Sequence, residues 1–501
     1  MSRTIVALLR RPVLLGTLAL TSVSASAGQS LEDVLLEKGV ISRQEWRQVK
    51  RADSAGAALA EILVKKGVLS ADDVAGLEGG AEKAVETVSS PPVPRTEIGK
   101  VVAEEVHRQV AEEFPVKVGW GKKGFKLETR DGNWATHLQW RAQMRYTYPM
   151  RSDPRTFSHF ARDEESTFEL RRVRMKIGGH GYRPWLKYYF ELDLQPTREH
   201  DDDSEKASTR VIDWRISMEK YPWASLRLGQ WKINYNRERV DSSGKQQFVE
   251  RSIVNRIFTI DRQMGAMLYG RLFPGTFADS RYYAGVFTGE GRGVKNDDDN
   301  MMYMARWQWN FLGRDLKWRQ TDVEFHEKPA GSIAFAAATT KGRCTRWSSS
   351  GCGNLDGFTK PAAAENGQFH IQQMVEEVAF KWQGFSLQHE YHWKRVRDRI
   401  NDQTASMWGS YSQAGYFFHH LIPAVPENLE LAFRYAFVEE PIAGNLSEDQ
   451  LRREYTAALN YFFAGHRNKV TVDYSHLTLE EEDGGRDTQD NRVRVQWDVS
   501  F

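Results

Sequence analysis

From Trp134 to Phe501 apolar residues recur at every second position, and this period constrains the fold more than anything else in the 501 residues. Successive strand side chains point to opposite faces, so a period of two makes a strand with one apolar and one polar side. In "WATHLQWRAQMRYTY", Trp134, Thr136, Leu138, Trp140, Ala142, Met144, Tyr146 and Tyr148 share one face. His137, Gln139, Arg141, Gln143 and Arg145 share the other. In "VRMKIGG", Val173, Met175 and Ile177 oppose Arg172, Arg174 and Lys176. "WLKYYFELDL" sets Leu186, Tyr188, Phe190 and Leu192 against Lys187, Tyr189, Glu191 and Asp193. "RVIDWRISM" sets Ile212, Trp214, Ile216 and Met218 against Val211, Asp213 and Arg215. The last strand, "RVRVQWDVSF", sets Val493, Val495, Trp497, Val499 and Phe501 against Arg492, Arg494, Gln496, Asp498 and Ser500. Two architectures accept such strands: a soluble sandwich with its polar face in water, and a transmembrane barrel whose polar face lines a wet lumen.

Punctuation decides between them. Short turns ("GYRP", "KYPWA", "WQGF") alternate with long polar loops ("QPTREHDDDSEKAS", "RGVKNDDDN" and the cysteine loop), and the strands from Trp134 to Phe501 count to sixteen. An even count with short turns on one rim and long loops on the other fits an all-β transmembrane barrel of sixteen antiparallel strands over residues 124–501. A hydrophobic content of 40% excludes a bundle of membrane helices but not a barrel, in which only alternate residues need be apolar. Sixty-nine basic against 67 acidic residues leave a net charge of +2, so no attraction to nucleic acid is expected and any basic function is local. Neither a Gly-x-Ser-x-Gly nor a His-Glu-x-x-His pattern is present, so no enzyme, metal site or cofactor is expected, and His389, His392, His419 and His420 read as wall or rim residues. The acidic runs at 201–205 and 296–300 read as solvated loop tips, the alternative being divalent cations held near lipopolysaccharide.

Ahead of the barrel, Arg3, Arg10 and Arg11 precede an apolar run and Ala25-Ser26-Ala27, which predicts a signal peptide over residues 1–27 and export from the cytoplasm. In an oxidising space, Cys344 and Cys352 of "RCTRWSSSGCGN" predict a loop-closing disulfide. Residues 28–88 repeat at an offset of 28: Leu31/Leu59, Val34/Ile62, Leu35/Leu63, Gly39/Gly67, Val40/Val68 and Ser42/Ser70 correspond. Each unit reads as an amphipathic helix stopping at glycine and a new one starting at a serine cap, with Glu45 completing a capping box. This helical module is expected in the periplasm, either binding peptidoglycan or another envelope partner or acting as a spacer. Residues 89–123 hold a Pro-rich linker, "SSPPVPR", and a helix with Ile98, Val102, Val106 and Val110 on one stripe, suited to a short coiled coil or to a lone helix lying on another surface.

The stretch "STFELRRVRMKIGGHGYRPWLKYYFELDL" followed by "LRLGQWKINYNRERVDSSGKQQFVERSIVNR" resembles the phosphate-selective porin O and P family. The likeness rests on Arg171-Arg172, Gly229-Gln230-Trp231, Ser242-Ser243 and Glu250-Arg251-Ser252. It implies an outer-membrane, homotrimeric anion channel of a Gram-negative bacterium, with a loop folded into the lumen, passing phosphate, polyphosphate or other small anions. Carried over by residue, the family's arginine ladder falls on Arg141 and Arg172, its constriction aspartate on Asp213 and its constriction arginine on Arg251. Arg239 stands where the family's phosphate channel has lysine, and Arg174 and Lys232 where that channel has two tyrosines at the narrowing. The polar parity of their strands independently places Arg141, Arg172, Arg174 and Asp213 in the lumen. Lys232 follows a break in alternation near Gly229, and Asp213 reads either as a weakener of the deepest site or as a structural partner of Arg251. Further expected partners are outer-membrane lipid, lipopolysaccharide and, through Phe501, the barrel assembly machinery. The competing functions are a general diffusion pore and a structural or receptor barrel whose helical module does the work.

Overall fold

The computed structural model describes residues 31–37, 40–52, 54–66, 116–121, 123–149, 166–194, 209–296, 298–349, 351–442, 445–480 and 487–501. The signal segment, Gly39, Gly67, Val68, Ser70, the Pro-rich linker, the Ile98 to Val110 stripe and the 201–205 acidic run lie outside these residues. The chain divides into two units, Met1–Val106 and His107–Phe501.

The first unit holds helices α1 (Leu31–Glu37), α2 (Arg43–Arg51) and α3 (Ala55–Lys65). Ser42 caps α2: its Oγ accepts the Glu45 amide at 3.3 Å, and the Glu45 carboxylate accepts the Ser42 amide at 2.6 Å. Ile41, Val49, Leu59 and Ile62 form the buried centre, and the Trp46 indole donates to Asp33 at 2.7 Å. Lys66, 2.8 Å from Glu45, and the Ser42 cap pull the Glu45 carboxyl down to about 2. A carboxyl depressed in the folded state supports folding above its unfolded value, about 4.3, and loses that support as pH falls toward 2.

The second unit begins with a hairpin, β1 (Val116–Gly121) and β2 (Gly124–Thr129), so strand structure starts ahead of residue 124. Next come β3 (Ala135–Tyr148), β4 (Thr167–Gly181), β5 (Arg183–Asp193), β6 (Arg210–Tyr221), β7 (Ala224–Lys232), β8 (Arg262–Leu272), β9 (Ser280–Phe287), β10 (Met302–Trp309) and β11 (Ala330–Gly342). A small separate hairpin, β12 (Arg346–Ser348) and β13 (Gly351–Gly353), precedes β14 (Phe369–Trp382), β15 (Phe385–Asp398), β16 (Gln403–Tyr416) and β17 (Leu429–Ile442). Strands β18 (Asn445–Phe462), β19 (Asn468–Leu479) and β20 (Thr488–Ser500) follow. Each wall strand pairs antiparallel with the next, and β20 returns to β3 in the register Val493↔Tyr148 to Ser500↔Arg141, closing a barrel of 16 strands. Phe501 continues this pairing, its amide donating to the Trp140 carbonyl at 2.9 Å. The rest of that β3 edge belongs to β2, in the register Phe125↔Leu138 to Glu128↔Ala135. Gly124 makes the junction possible: at φ +83° a Cβ there would stand 2.2 Å from the Leu138 carbonyl oxygen.

The outer face follows the period of two. Trp140, Trp214, Trp307, Trp382, Phe433 and Trp497 are exposed there, an apolar band for lipid. No helix among the described residues is long and apolar enough to cross a membrane. The parity reading fails at one place. A bulge between β5 and β6, where Glu191 faces Asp213 but Leu192 faces Val211, turns Val211 outward at 49% exposure and buries Ile212 at 2%.

The inner face is not uniformly wet either. Ile253, Val254, Ile257, Phe258 and Ile260 of the β7–β8 connection pack against lumen-facing Met302, Met304, Ile371, Val375, Val396, Met407 and Val438. Each such burial stabilises by about 1.5–3 kcal/mol, so this dock outweighs any single polar contact of the loop.

For the helical unit, the α2 amide and Trp46 indole resonances of the full chain are expected to show a titration step near pH 2 that Glu45→Gln removes; an unaltered step in that variant refutes the capping role.

Candidate functional site

The 233–261 connection between β7 and β8 folds inward and crosses the lumen. Its apolar residues supply the drive, and polar side chains of the far wall fix its position. The Arg237 amide donates to Glu377 on β14 at 3.0 Å, Asn236 to Glu390 on β15 at 2.9 Å, and the Val249 amide to Asp473 on β19 at 3.0 Å. Asn460 on β18 donates to the Gln247 carbonyl at 2.8 Å, and Lys394 on β15 to the Ile257 carbonyl at 2.8 Å.

A second segment, 310–329 between β10 and β11, enters from the rim of the 222–223 and 383–384 turns; like the 417–428 connection on that rim, it departs from the short-turn pattern. The two inward segments meet. Arg319 pairs with Asp241, Gln320 accepts the Gln247 amide at 2.7 Å, and the Lys317 carbonyl accepts from Arg237 at 2.7 Å. The disulfide Cys344–Cys352 closes the loop bearing the β12–β13 hairpin, whose Trp347 is buried in the cluster that holds Ile257 and Phe258.

Each of the seven lumenal residues singled out in the sequence is hydrogen-bonded to protein, and five of them, Arg141, Arg172, Lys232, Arg239 and Arg251, belong to or bond this crossing loop. Arg141 donates to Ser242 at 2.8 Å and Ser243 at 2.9 Å, passing over Gly244, where a Cβ would stand 2.8 Å from its Nη1. Arg172 reaches Gln143 at 3.1 Å and Glu250 at 3.3 Å. Arg174 reaches Glu191 at 3.1 Å and Asp193 at 3.0 Å. Lys232 points to the loop after all: its Nζ donates to the carbonyls of Arg239 and Asp241, each at 3.2 Å. Arg251 donates to the Glu238 carbonyl at 2.9 Å and to Asp241 at 2.7 Å, so both cations cap the carbonyl end of the helical turn Arg237–Val240. Arg239 pairs with Asp261. Asp213 is not the partner of Arg251; it pairs with Arg262 and, at 3.3 Å, with Arg215.

Several functional candidates were missed. A bulge opposite Gln143 brings Arg171 as well as Arg172 to Glu250, the carboxylate that also takes Arg145 at 2.8 Å. Lys176 on β4 lies across from Glu191, whose oxygens are engaged by Arg174 and, at 2.8 Å, by Tyr189. Among the described residues the Lys176 amine makes no hydrogen bond or salt bridge, and neither does the amine of Lys245 in the crossing loop. Toward the short-turn rim, a cavity of about 420 Å³ opens against β3–β7, lined by Lys123, Lys176, Arg215 and Arg227 together with His137 and His180. Lys187 also lines it, paired at 2.5 Å with the one lining carboxylate, Glu219. Arg227 lies 4.6 Å from the Tyr269 ring centre, an arrangement that fixes a guanidinium without cancelling its charge, while Arg215 lies 4.3 Å from the Tyr189 ring centre and is also paired with Asp213.

A family profile described as phosphate-selective porin O and P matches residues 144–501. Among solved structures, the chain is similar to OmpT, an outer membrane protein of Vibrio cholerae, at 10% identity and a TM-score of 0.47, covering 74% of this chain and 98% of that one. It is similar to the outer membrane channel DcaP of Acinetobacter baumannii at 11% identity and 0.45, covering 75% and 99%. It is also similar to an anion-selective porin from Comamonas acidovorans at 10% identity and 0.46, covering 74% and 100%. No curated protein matches the chain.

Among the described residues Glu250 is the acid that Arg145, Arg171 and Arg172 all reach, Glu169 lying only at 3.8–3.9 Å from two of them, so Glu250→Gln removes the shared counter-charge and is expected to cost about 3 kcal/mol. The measurement is the temperature at which the detergent-folded barrel loses its compact gel mobility: a clear fall is expected, and no change refutes the shared-acid role.

Proposed function

This chain belongs to the phosphate-selective porin O and P family and is an outer-membrane porin, and we propose that it is an anion-selective channel whose path runs along the β3–β8 side of the lumen. The observation that carries the reading is the pair of amines, Lys176 and Lys245, which among the described residues make no side-chain hydrogen bond or salt bridge in a lumen where most arginines are committed. The crossing loop and the 310–329 segment fill the side next to β10–β19, which leaves the permeant ion to the basic side.

On this reading Arg141, Arg172, Arg174, Lys232, Arg239 and Arg251, with Asp213 and Arg262, form a fixed frame. Their hydrogen bonds hold the throat open at one width, while their charge keeps the lumen potential positive. Direct contact with the anion falls to Lys176 and Lys245, and then to the cavity cations. A dianion about 4 Å from a single cation gains roughly 8 kcal/mol at an effective dielectric near 20, which one donor cannot make into a full replacement for its hydration shell, so several donors in sequence replace that shell without trapping the ion. Phosphate and longer phosphate chains fit such a series, the latter spanning more than one cation at once. The helical unit stands in the periplasm, Phe501 serves barrel assembly, and three chains associate.

Single-channel recording in planar bilayers tests the reading. Wild type is expected to give anion-selective steps in potassium chloride that phosphate or triphosphate inhibits. Lys176→Ala with Lys245→Ala is expected to lower anion over cation permeability and to weaken that inhibition about threefold or more. Cation-selective steps, no steps, or inhibition unchanged in the double variant overturn it.

A further inference from the structure

The outer wall of β10, β11, β14 and β15 changes character in three successive cross-strand rows. Nearest the long-loop rim, Lys341, His370 and Arg397 stand side by side in register. The next row is Tyr303, Thr339, Gln372 and Arg395, and the row below is Ala305, Ala337, Met374 and Trp393. Neighbouring strands lie about 4.8 Å apart, so each row is a continuous strip. Alternation turns all of these residues outward, away from the lumen. The side chains of Lys341 and Arg395 make no hydrogen bond or salt bridge among the described residues. The acidic neighbours are Asp402, 3.1 Å from Arg397 on the adjoining turn, and Glu376, below the alanine row.

The alanines make this face concave. With Leu226, Leu268 and Val286 they line an outward groove of about 820 Å³ that continues up to Tyr303 and Thr339. A cationic strip, a hydrogen-bonding strip and an apolar groove in that order, going from rim to midplane, match the order of phosphate, sugar and acyl chain in a glycolipid. Long loops mark the outer rim of such barrels, which places this face in the outer leaflet.

We infer that this face is a binding site for one lipopolysaccharide molecule. A lipid A phosphate sits against Lys341, Arg395 and Arg397, the glucosamine against Tyr303, Thr339 and Gln372, and an acyl chain in the groove over Ala305 and Ala337. The site lies outside the lumen and stands whether or not the channel prefers phosphate.

The test is native mass spectrometry of the delipidated full-length protein in detergent, titrated with lipid A, with lipid A stripped of its phosphates, and with phosphatidylglycerol. One lipid A per chain is expected, bound more tightly than either of the others. Lys341→Gln with Arg395→Gln, and separately Ala337→Trp, are each expected to weaken it about tenfold or more. Single-channel conductance of both variants is expected to equal that of wild type, which reports correct folding and separates this site from the channel. Equal lipid A binding by wild type and variants overturns the inference, as does equal binding of phosphatidylglycerol. Disulfide linkage of two copies through Ala337→Cys in the membrane also overturns it, because the face is then covered by protein.

Discussion

In a hydrocarbon layer a backbone amide has no water to turn to, so every strand edge must be met by another strand. The pairing of β20 with β3 is where this chain satisfies that demand, and the rest of the architecture depends on it. Closure fixes an inside and an outside. The outside is then constrained to be greasy, and the inside becomes the place where charge is tolerated.

The inside is divided rather than uniform. Apolar side chains on the walls of β10, β11 and β14–β17 accept the apolar residues of the crossing loop, and buried acids on β14, β15 and β19 accept its amides. The loop is thus held by the far wall and not merely suspended from its two ends. Charge is divided as well. Arginines that carry hydrogen bonds in three directions make rigid scaffolding, whereas a lysine with no partner keeps both its mobility and its capacity to bind. Rigidity of the throat and exchange of the ion therefore rest on different residues.

Much of this was legible in the residues. The period of two, the alternation of short and long connections and the strand count predicted the barrel, and polar parity placed Arg141, Arg172, Arg174 and Asp213 inside. Bulges were not legible, because an added residue shifts one face onto the other without any compositional mark, as at Val211 and Ile212. The destination of the crossing loop had a visible signal that went unused: Phe248, Val249, Ile253, Val254, Ile257, Phe258 and Ile260 crowd a connection that would be polar if it faced solvent. The partners of each cation were beyond reach, since they come from strands more than a hundred residues away, as with Arg141 and Ser242.

The shared edge of β3 carries one more implication. Because the ring is sealed by its final strand against its first, no shorter stretch of the polypeptide can shield all its own edges. A chain cut before β20 exposes β3 and β19 together, two sticky margins suited to pairing with other copies. Synthesis and export must accordingly be complete before insertion can be, and until then something other than the chain itself has to keep those margins apart.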